Sequence, residues 1–486
     1  MILKKVFNLL FRLIFTLVLV SGYRGVSAQE VSISSELTIR NYMAYDLLGR
    51  IDDKFIVFRD KGDTKEIDIF DKYLEHTSHT ELFFEKRKST VVHTLGLDTS
   101  FQLIYNYVDK DSIYIKMRRY NSAVVLQDSS EIGRLPKKII RKKISEVTSE
   151  DKSKVLIYTL DDEDNFLFFL YDNDRNTLLT ESKLAIPDFE PNKHSYELKL
   201  TNSGQLLVLL VKPDFNRNAI FSLVHFDLYN QKATAHLLNS EKYQRDYFLD
   251  YDNQNDKVIF CGTFSEKRGK NAEGYYIINK RLGDLQLEET AKILPFPDQL
   301  IEEVGRSKRK KNKVFQDFTV REVLKRNDGG FLIMMELSKE FSRRNSYSPT
   351  TNFDRGSYGP AARRGWVDYY NEDIIVSSIS PAYEFDWSKI LYKKQFSQDD
   401  EAIYSSFFVM KTPSRLRLLY NDEIKKSNTV SEYIMDPTGK IARNSLLSTE
   451  DQEMKLRFRD ALQISNRELL VPSETNYDLI LVKITY

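Results

Sequence analysis

Residues 155–172 read VLIYTLDDEDNFLFFLYD: an apolar run, an acidic turn, and a second apolar run. Runs this short and this continuously hydrophobic predict strands buried on both faces, because a strand with one wet face alternates apolar with polar residues. Asp and Asn suit the turn because they tolerate left-handed φ and bond their own backbone. The same arrangement recurs along the chain. FIVF (55–58) pairs with EIDIFD (66–71), QLIYNYV (102–108) with SIYIKMRRY (112–120), and QLLVLLV (205–211) with IFSLVHFDL (220–228). KVIFCGTF (257–264) pairs with GYYIINK (274–280), FLIMMEL (331–337) with DIIVSSI (373–379), RLRLLY (415–420) with SEYIMD (431–436), and ELLVPS (468–473) with YDLILVKITY (477–486).

Anchored on Phe55, Leu103, Val155, Leu207, Val258, Phe331, Leu416 and Leu469, these pairs are spaced by 48, 52, 52, 51, 73, 85 and 53 residues. The two long intervals contain visible insertions. A weaker alternating run precedes each pair, such as YELKLT (196–201) or FTVREVLK (318–325), and another follows, such as TLLTESKLAI (177–186). Four strands per unit at a period near 50 predict an all-β chain folded as a single β-propeller. The count gives about eight four-stranded blades, or seven if one unit is degenerate. A β-sandwich array or two smaller β-domains is the competing architecture. The last unit runs out in DLILVKITY, so VSISSELTIR (31–40) is expected to pair beside it and close the ring between N- and C-terminal strands.

Residues 1–28 read as a cleaved signal peptide, with Lys4 and Lys5 before VFNLLFRLIFTLVLV and small residues at Val26-Ser27-Ala28. Arg12 leaves the apolar core shorter than a spanning helix wants. The folded domain is expected over 29–486, exported, with no integral membrane span after cleavage. Its 72 basic residues then fall to 68 against 71 acidic. That balance argues against a nucleic-acid partner. A lone Cys261 excludes disulfides and paired-Cys zinc sites.

No nucleophile elbow, zincin helix, phosphate loop or dinucleotide fingerprint occurs, so neither catalytic residues nor a cofactor is expected. His76 and His79 in HTSH lack an identifiable third metal ligand and read as a polar turn or outer edge. His225 interrupts an inner strand and reads as a hydrogen-bonded core histidine. Asp172, Asp174 and Asn176 open like a calcium loop, but Lys183 stands where a bidentate Glu is required, and turn chemistry is the better reading. With 71 acids, no carboxylate pair for glycoside hydrolysis can be singled out.

The insertions at about 303–313 and 338–366 are more informative. GRSKRKKNK (305–313) reads as a solvated basic loop, the alternative being a patch for an acidic partner or anionic lipid. The stretch 341–366, FSRRNSYSPTTNFDRGSYGPAARRGW, carries Arg343, Arg344, Tyr347, Phe353, Arg355, Tyr358, Arg363, Arg364 and Trp366. Arg, Tyr and Trp dominate interface hot spots, which makes these the candidate partner-binding residues. Gly356, Gly359 and Pro360 mark irregular backbone.

The export signal, the propeller repeats and the Tyr/Asn/Lys-rich composition resemble the exported β-propeller proteins of Bacteroidota, which include plug-like accessory subunits of the type IX secretion translocon. The resemblance implies a retained periplasmic component, outer-membrane-associated or extracellular being the variants. It further implies a non-enzymatic module docking an envelope protein through propeller rim loops. The alternative is a periplasmic or secreted enzyme acting on glycans or peptides in the channel.

Overall fold

A computed structural model describes residues 29–40, 44–214, 218–268, 271–307, 315–342, 367–422, 429–448, 454–475 and 477–486. Their strands form eight antiparallel-cored sheets, the eight blades of a β-propeller. Blades 1 to 4 start at the strands Ala44–Ile51, Thr90–Gly96, Ser145–Thr148 and Ser195–Leu200. Blades 5 to 8 start at Phe248–Asp252, Phe318–Lys325, Phe408–Lys411 and Leu462–Gln463. All eight anchor residues fall on the second strand of their blade.

The reason for the unbroken apolar runs is visible in the packing. Leu206, Val208 and Leu210 of one strand pack against Leu156, Phe168 and Leu170 of blade 3. Leu207 and Leu209, pointing the other way, pack against Val258 and Phe260 of blade 5. The eight main hydrophobic clusters each fill the space between two consecutive blades. Both faces of this strand are interior, which is why it is apolar at every position from Leu206 to Leu210. Nearer the axis the blades almost touch. A Cβ on Gly96 of blade 2 would sit 1.7 Å from the Leu48 carbonyl oxygen of blade 1.

Ring closure follows the expectation with one refinement. Glu30–Ile33 pairs antiparallel with the strand Asp478–Thr485, from Glu30 opposite Thr485 to Ile33 opposite Val482. The run 31–40 is split rather than continuous, and a second piece, Leu37–Thr38, pairs with Leu479 and Asp478. At the break, the Ser34 amide donates to the Leu481 carbonyl and the Leu481 amide donates to Ser34 Oγ, both at 2.9 Å. A side-chain oxygen therefore replaces a backbone acceptor where the strand leaves the ladder.

The hairpin turns use the expected chemistry. Asp161 Oδ1 accepts from the amides of Glu163 and Asn165, Asp172 Oδ1 accepts from those of Asp174 and Arg175, and Asp164 and Asn176 adopt φ of 63° and 55°. Outer edges are also managed. Glu288–Thr290, from blade 5, adds in parallel to the outermost strand of blade 4 and covers its open backbone groups.

Blade 6 departs most from its neighbours. Its second and third strands, Phe331–Ser342 and Val367–Ile379, stay paired as far as Ser342 opposite Val367. The first strand stops at Phe318 opposite Leu337, so the hairpin runs on beyond the blade. Gln395–Gln398 pairs with Asp368–Asn371 on the far side, making the overhang a three-stranded projection. The hairpin bulges between Glu336 and Ser338, where the projection leaves the blade. There Lys393 Nζ lies 2.6 Å from Glu336 Oε1, with both side chains fully buried. Lys393 Nζ also donates to the Asn371 carbonyl and Gln395 Oε1, and Ser406 Oγ donates to Glu336 Oε2 at 2.7 Å. Burial pulls the Lys393 ammonium below its usual pKa, and the Glu336 charge pushes back.

The connection from blade 5 to blade 6, expected as a loop over 303–313, begins as the helix Asp298–Ser307. Leu300 and Val304, one turn apart, bury against Phe296 and Phe315 while Ile301 stays exposed. Residues 308–314 of the basic cluster lie outside the described residues.

Two outcomes test this packing. Leu481, fully buried between blades 8 and 1, should cost about 2–5 kcal/mol when changed to Ala. The exposed Leu287→Ala, measured in the same denaturant titration, should cost under about 0.5 kcal/mol. Lys393→Met should destabilise by about 3–5 kcal/mol because it strands a buried carboxylate. The double change Lys393→Met with Glu336→Leu should recover most of that loss; equal losses would show that the pair is not the anchor.

Candidate functional site

The partner-binding residues expected from sequence, Arg343, Arg344, Tyr347, Phe353, Arg355, Tyr358, Arg363, Arg364 and Trp366, lie outside the described residues. The structure defines the stem that carries them. It is the hairpin between the second and third strands of blade 6, as the sequence pattern indicates. On the projection an aromatic ladder crosses all three strands. Phe341 meets Tyr370 edge-on at a centroid distance of 5.8 Å, and Tyr370 meets Phe396 at 5.0 Å. Phe341 is 54% exposed, unusual for a residue with two aromatic neighbours in line.

The two sequence insertions emerge side by side. The Ser338 amide donates to the Asp317 carbonyl at 3.0 Å, and Lys339 Nζ lies 3.3 Å from Asp317 Oδ2. Asp317 ends the connection that holds the helix and the basic cluster. Both insertions therefore leave the ring from the face where blades connect to one another.

A second surface lies along the axis. The first strands of blades contact one another there: blade 1 with blade 2, blade 3 with blades 2 and 4, blade 5 with blade 6. They carry ionisable side chains. Thr94 Oγ1 donates to Asp46 Oδ2 at 3.2 Å. His93 Nδ1 lies 3.3 Å from Glu146 Oε1, while Thr148 Oγ1 donates to Glu146 Oε2. Lys199 Nζ lies 3.6 Å from Glu197 Oε1. Burial pushes the carboxyls of Asp46, Glu197 and Glu322 above their usual range. Burial would raise Glu146 too, but the hydrogen bond and charge of His93 take it below.

At the opposite mouth, the turns after the first strands are stitched across blades. The Asp151 amide donates to Asn202 Oδ1, and the Asn202 amide to Asn253 Oδ1. Asn253 Nδ2 in turn donates to Glu150 Oε2 at 2.7 Å. Lys325 Nζ of blade 6 donates to Glu150 Oε1 of blade 3 at 3.0 Å, joining widely separated blades. A cleft of about 680 Å³ opens here between blades 6 and 7, with Leu324, Leu332, Leu416, Met435 and Trp387 along its apolar side. Trp387 is wedged by the glycine turn of blade 7, since a Cβ on Gly439 would meet its ring at 2.7 Å.

The histidines fall where the sequence pattern allows. His76 and His79 lie on the outermost strand of blade 1, and both reach the buried Asp68 Oδ1, at 2.9 and 3.1 Å. Arg59 holds the other oxygen of Asp68 at 2.6 Å. Among the described residues no group of three or more His, Cys, Asp or Glu is arranged to hold a metal ion. His225 is half-buried with Nε2 2.9 Å from Gln205 Oε1, and burial lowers its pKa.

The ionisable channel was not found by motif, though the repeat register contains a signal for it. Glu146 and Glu197 stand 51 residues apart, as do Thr148, Lys199 and Asp250, and Asp151, Asn202 and Asn253. Residues at one repeat spacing on first strands or first turns come to one ring around the axis. The buried Lys393–Glu336 pair has no such signal, because it occurs in one blade only.

No protein-family model matches the sequence, and no curated protein matches it significantly. Among solved structures, an uncharacterised protein from Listeria monocytogenes EGD-e is similar at 9% identity and TM-score 0.38, over 76% of this chain and 85% of that one. The β-propeller domain of the Trilobed protease from Pyrococcus furiosus matches at 12% identity and TM-score 0.34, over 83% and 98%. The β-propeller domain of Nup133 from Vanderwaltozyma polyspora matches at 9% identity and TM-score 0.38, over 95% and 99%. At these values the likenesses carry no function to this chain, and the architecture rests on its own strand pairing.

Proposed function

We propose that this protein is a non-enzymatic binding module of the cell envelope, exported to the periplasm, that docks a protein partner through the connecting face of blade 6. The observation that carries the reading is the projection itself. A blade needs only its four strands to fill the ring, yet here a hairpin overruns the blade, gains an extra strand, and is fixed by a fully buried ion pair. A rigid scaffold that presents an exposed aromatic at the root of an Arg- and Tyr-bearing loop has the makeup of a recognition element. The connection from blade 5 leaves the same face beside it, through the contacts of Asp317 with Ser338 and Lys339. A translocon-associated accessory role, as the family resemblance implies, is one setting for such a module.

A second reading is supported by the axis. The channel carries buried carboxylates and a His93–Glu146 pair, groups that an enzyme acting on glycans or peptides would use for proton transfer. Loss of hydrolysis in Glu146→Gln, with the fold intact, would favour that reading.

The docking reading has a clean test, because Ser342 and Val367 face each other across the hairpin. Residues 343–366 can be replaced by Asn-Gly, which closes such a hairpin with a two-residue turn. The shortened protein should unfold at the same temperature, within about 2 °C. It should no longer retain the envelope protein that the intact chain captures by cross-linking in native membranes. Phe341→Ala should weaken that capture by about thirtyfold, the size of one interface hot spot. Undiminished capture by both variants would contradict the proposal.

A further inference from the structure

At the mouth of the channel on the connecting face, next to the buried anchor, lies a cavity of about 440 Å³ between blades 6, 7 and 8. Its size falls within the range of small-ligand pockets. Its chemistry is lopsided in charge. Arg321, Lys411 and Arg459 line it, and the one carboxylate in the lining is Glu322. Glu336, behind the wall, is already held by Lys393 at 2.6 Å and lies 3.5 Å from Arg321 Nε. Among the described residues no carboxylate lies within salt-bridge distance of Lys411 or Arg459; Arg459 Nη1 reaches only the Glu401 carbonyl, at 3.3 Å.

Two further features sharpen the fit. Asn371 belongs to the lining and is 3% exposed, yet its Oδ1 has no hydrogen-bond partner, an arrangement that is costly unless something completes it. Phe408 and Phe458, which meet in the core between blades 7 and 8, add aromatic surface to the lining. Cations, a spare carboxamide and an aromatic face together match a small ring that presents C–H groups on one side and hydroxyl and oxyanion groups on the other.

We propose that this cavity binds a pyranose-sized sugar bearing an oxyanion, a sugar acid or a sugar phosphate. Arg321, Lys411 and Arg459 take the oxyanion, and Asn371 takes a ring hydroxyl. The assignment can be tested apart from the protein-docking reading, because Asn371 sits at the base of the projection and none of residues 343–366 is used.

Calorimetric titration of the full mature chain with glucuronate, glucose 6-phosphate and glucose tests it. At least one anion should bind, and glucose should bind at least about tenfold more weakly, as expected when charge-assisted hydrogen bonds carry recognition. Which of the two anions binds decides between carboxylate and phosphate. Arg459→Gln, whose side chain touches only a backbone carbonyl, should weaken that anion by about tenfold with an unchanged thermal transition. Asn371→Ala should weaken both anion and sugar binding. The proposal is overturned if neither anion binds, if glucose binds as tightly as the anions, or if Arg459→Gln leaves the affinity unchanged.

Discussion

The constraint on which this structure depends is that the middle strands of the blades bury both faces, for the most part with apolar side chains. A sheet with two apolar faces is covered only by another sheet on each side, and a row of such sheets leaves two bare faces at its ends. Closing the row into a ring removes both. The cluster between blades 8 and 1, built from Phe55, Val57, Phe70, Leu470, Leu479 and Leu481, is where the first and last blades meet. The pairing of Glu30–Ile33 with Asp478–Thr485 fastens that junction with backbone hydrogen bonds, so opening the ring requires breaking a sheet as well as a hydrophobic contact.

This constraint explains why the fold was readable and where reading stopped. Two-sided burial favours apolar residues on both faces of the second and third strands, so Leu206 through Leu210 announce themselves without any motif, whereas blade 1 buries the paired Arg59 and Asp68 there. The turn chemistry of Asp161 and Asp172 is equally local. The split at Ser34 is not, because a serine hydroxyl replacing a carbonyl depends on where Leu481 lies in the opposite strand. The strand Gln395–Gln398 carries no hydrophobic period for a related reason: Gln395 and Ser397 bury by hydrogen bonding rather than by apolar contact. The helix Asp298–Ser307 was hidden by the basic cluster that follows it, though Leu300 and Val304 sit one turn apart. As for the site, the sequence located the departure in blade 6 by broken periodicity, while the channel carboxylates and the Lys393–Glu336 pair emerged only from the three-dimensional arrangement.

The two faces of the ring differ in a way that bears on function. On one, the turns after the first strands are short and tied blade to blade by Asn202, Asn253 and Lys325. On the other, the connection from blade 5 to blade 6 carries a helix, and the hairpin of blade 6 runs on into the projection. Material has been added to one face and one sector, while on the opposite face the turns are tied blade to blade around a cleft of about 680 Å³. A fully buried lysine–glutamate pair is a costly way to build a protein interior, and it sits where the projection leaves the blade. Its geometry fixes the direction of the projection, a property that matters when the projection has something to meet.

The closed ring is tested most directly by hydrogen exchange of the backbone amides. The account predicts that amides in Glu30–Ile33 are protected together with those of the strand Asp478–Thr485 and open with them in one cooperative step. Exchange of residues 30–33 at the rate of an unstructured peptide, with blade 8 still protected, would contradict it.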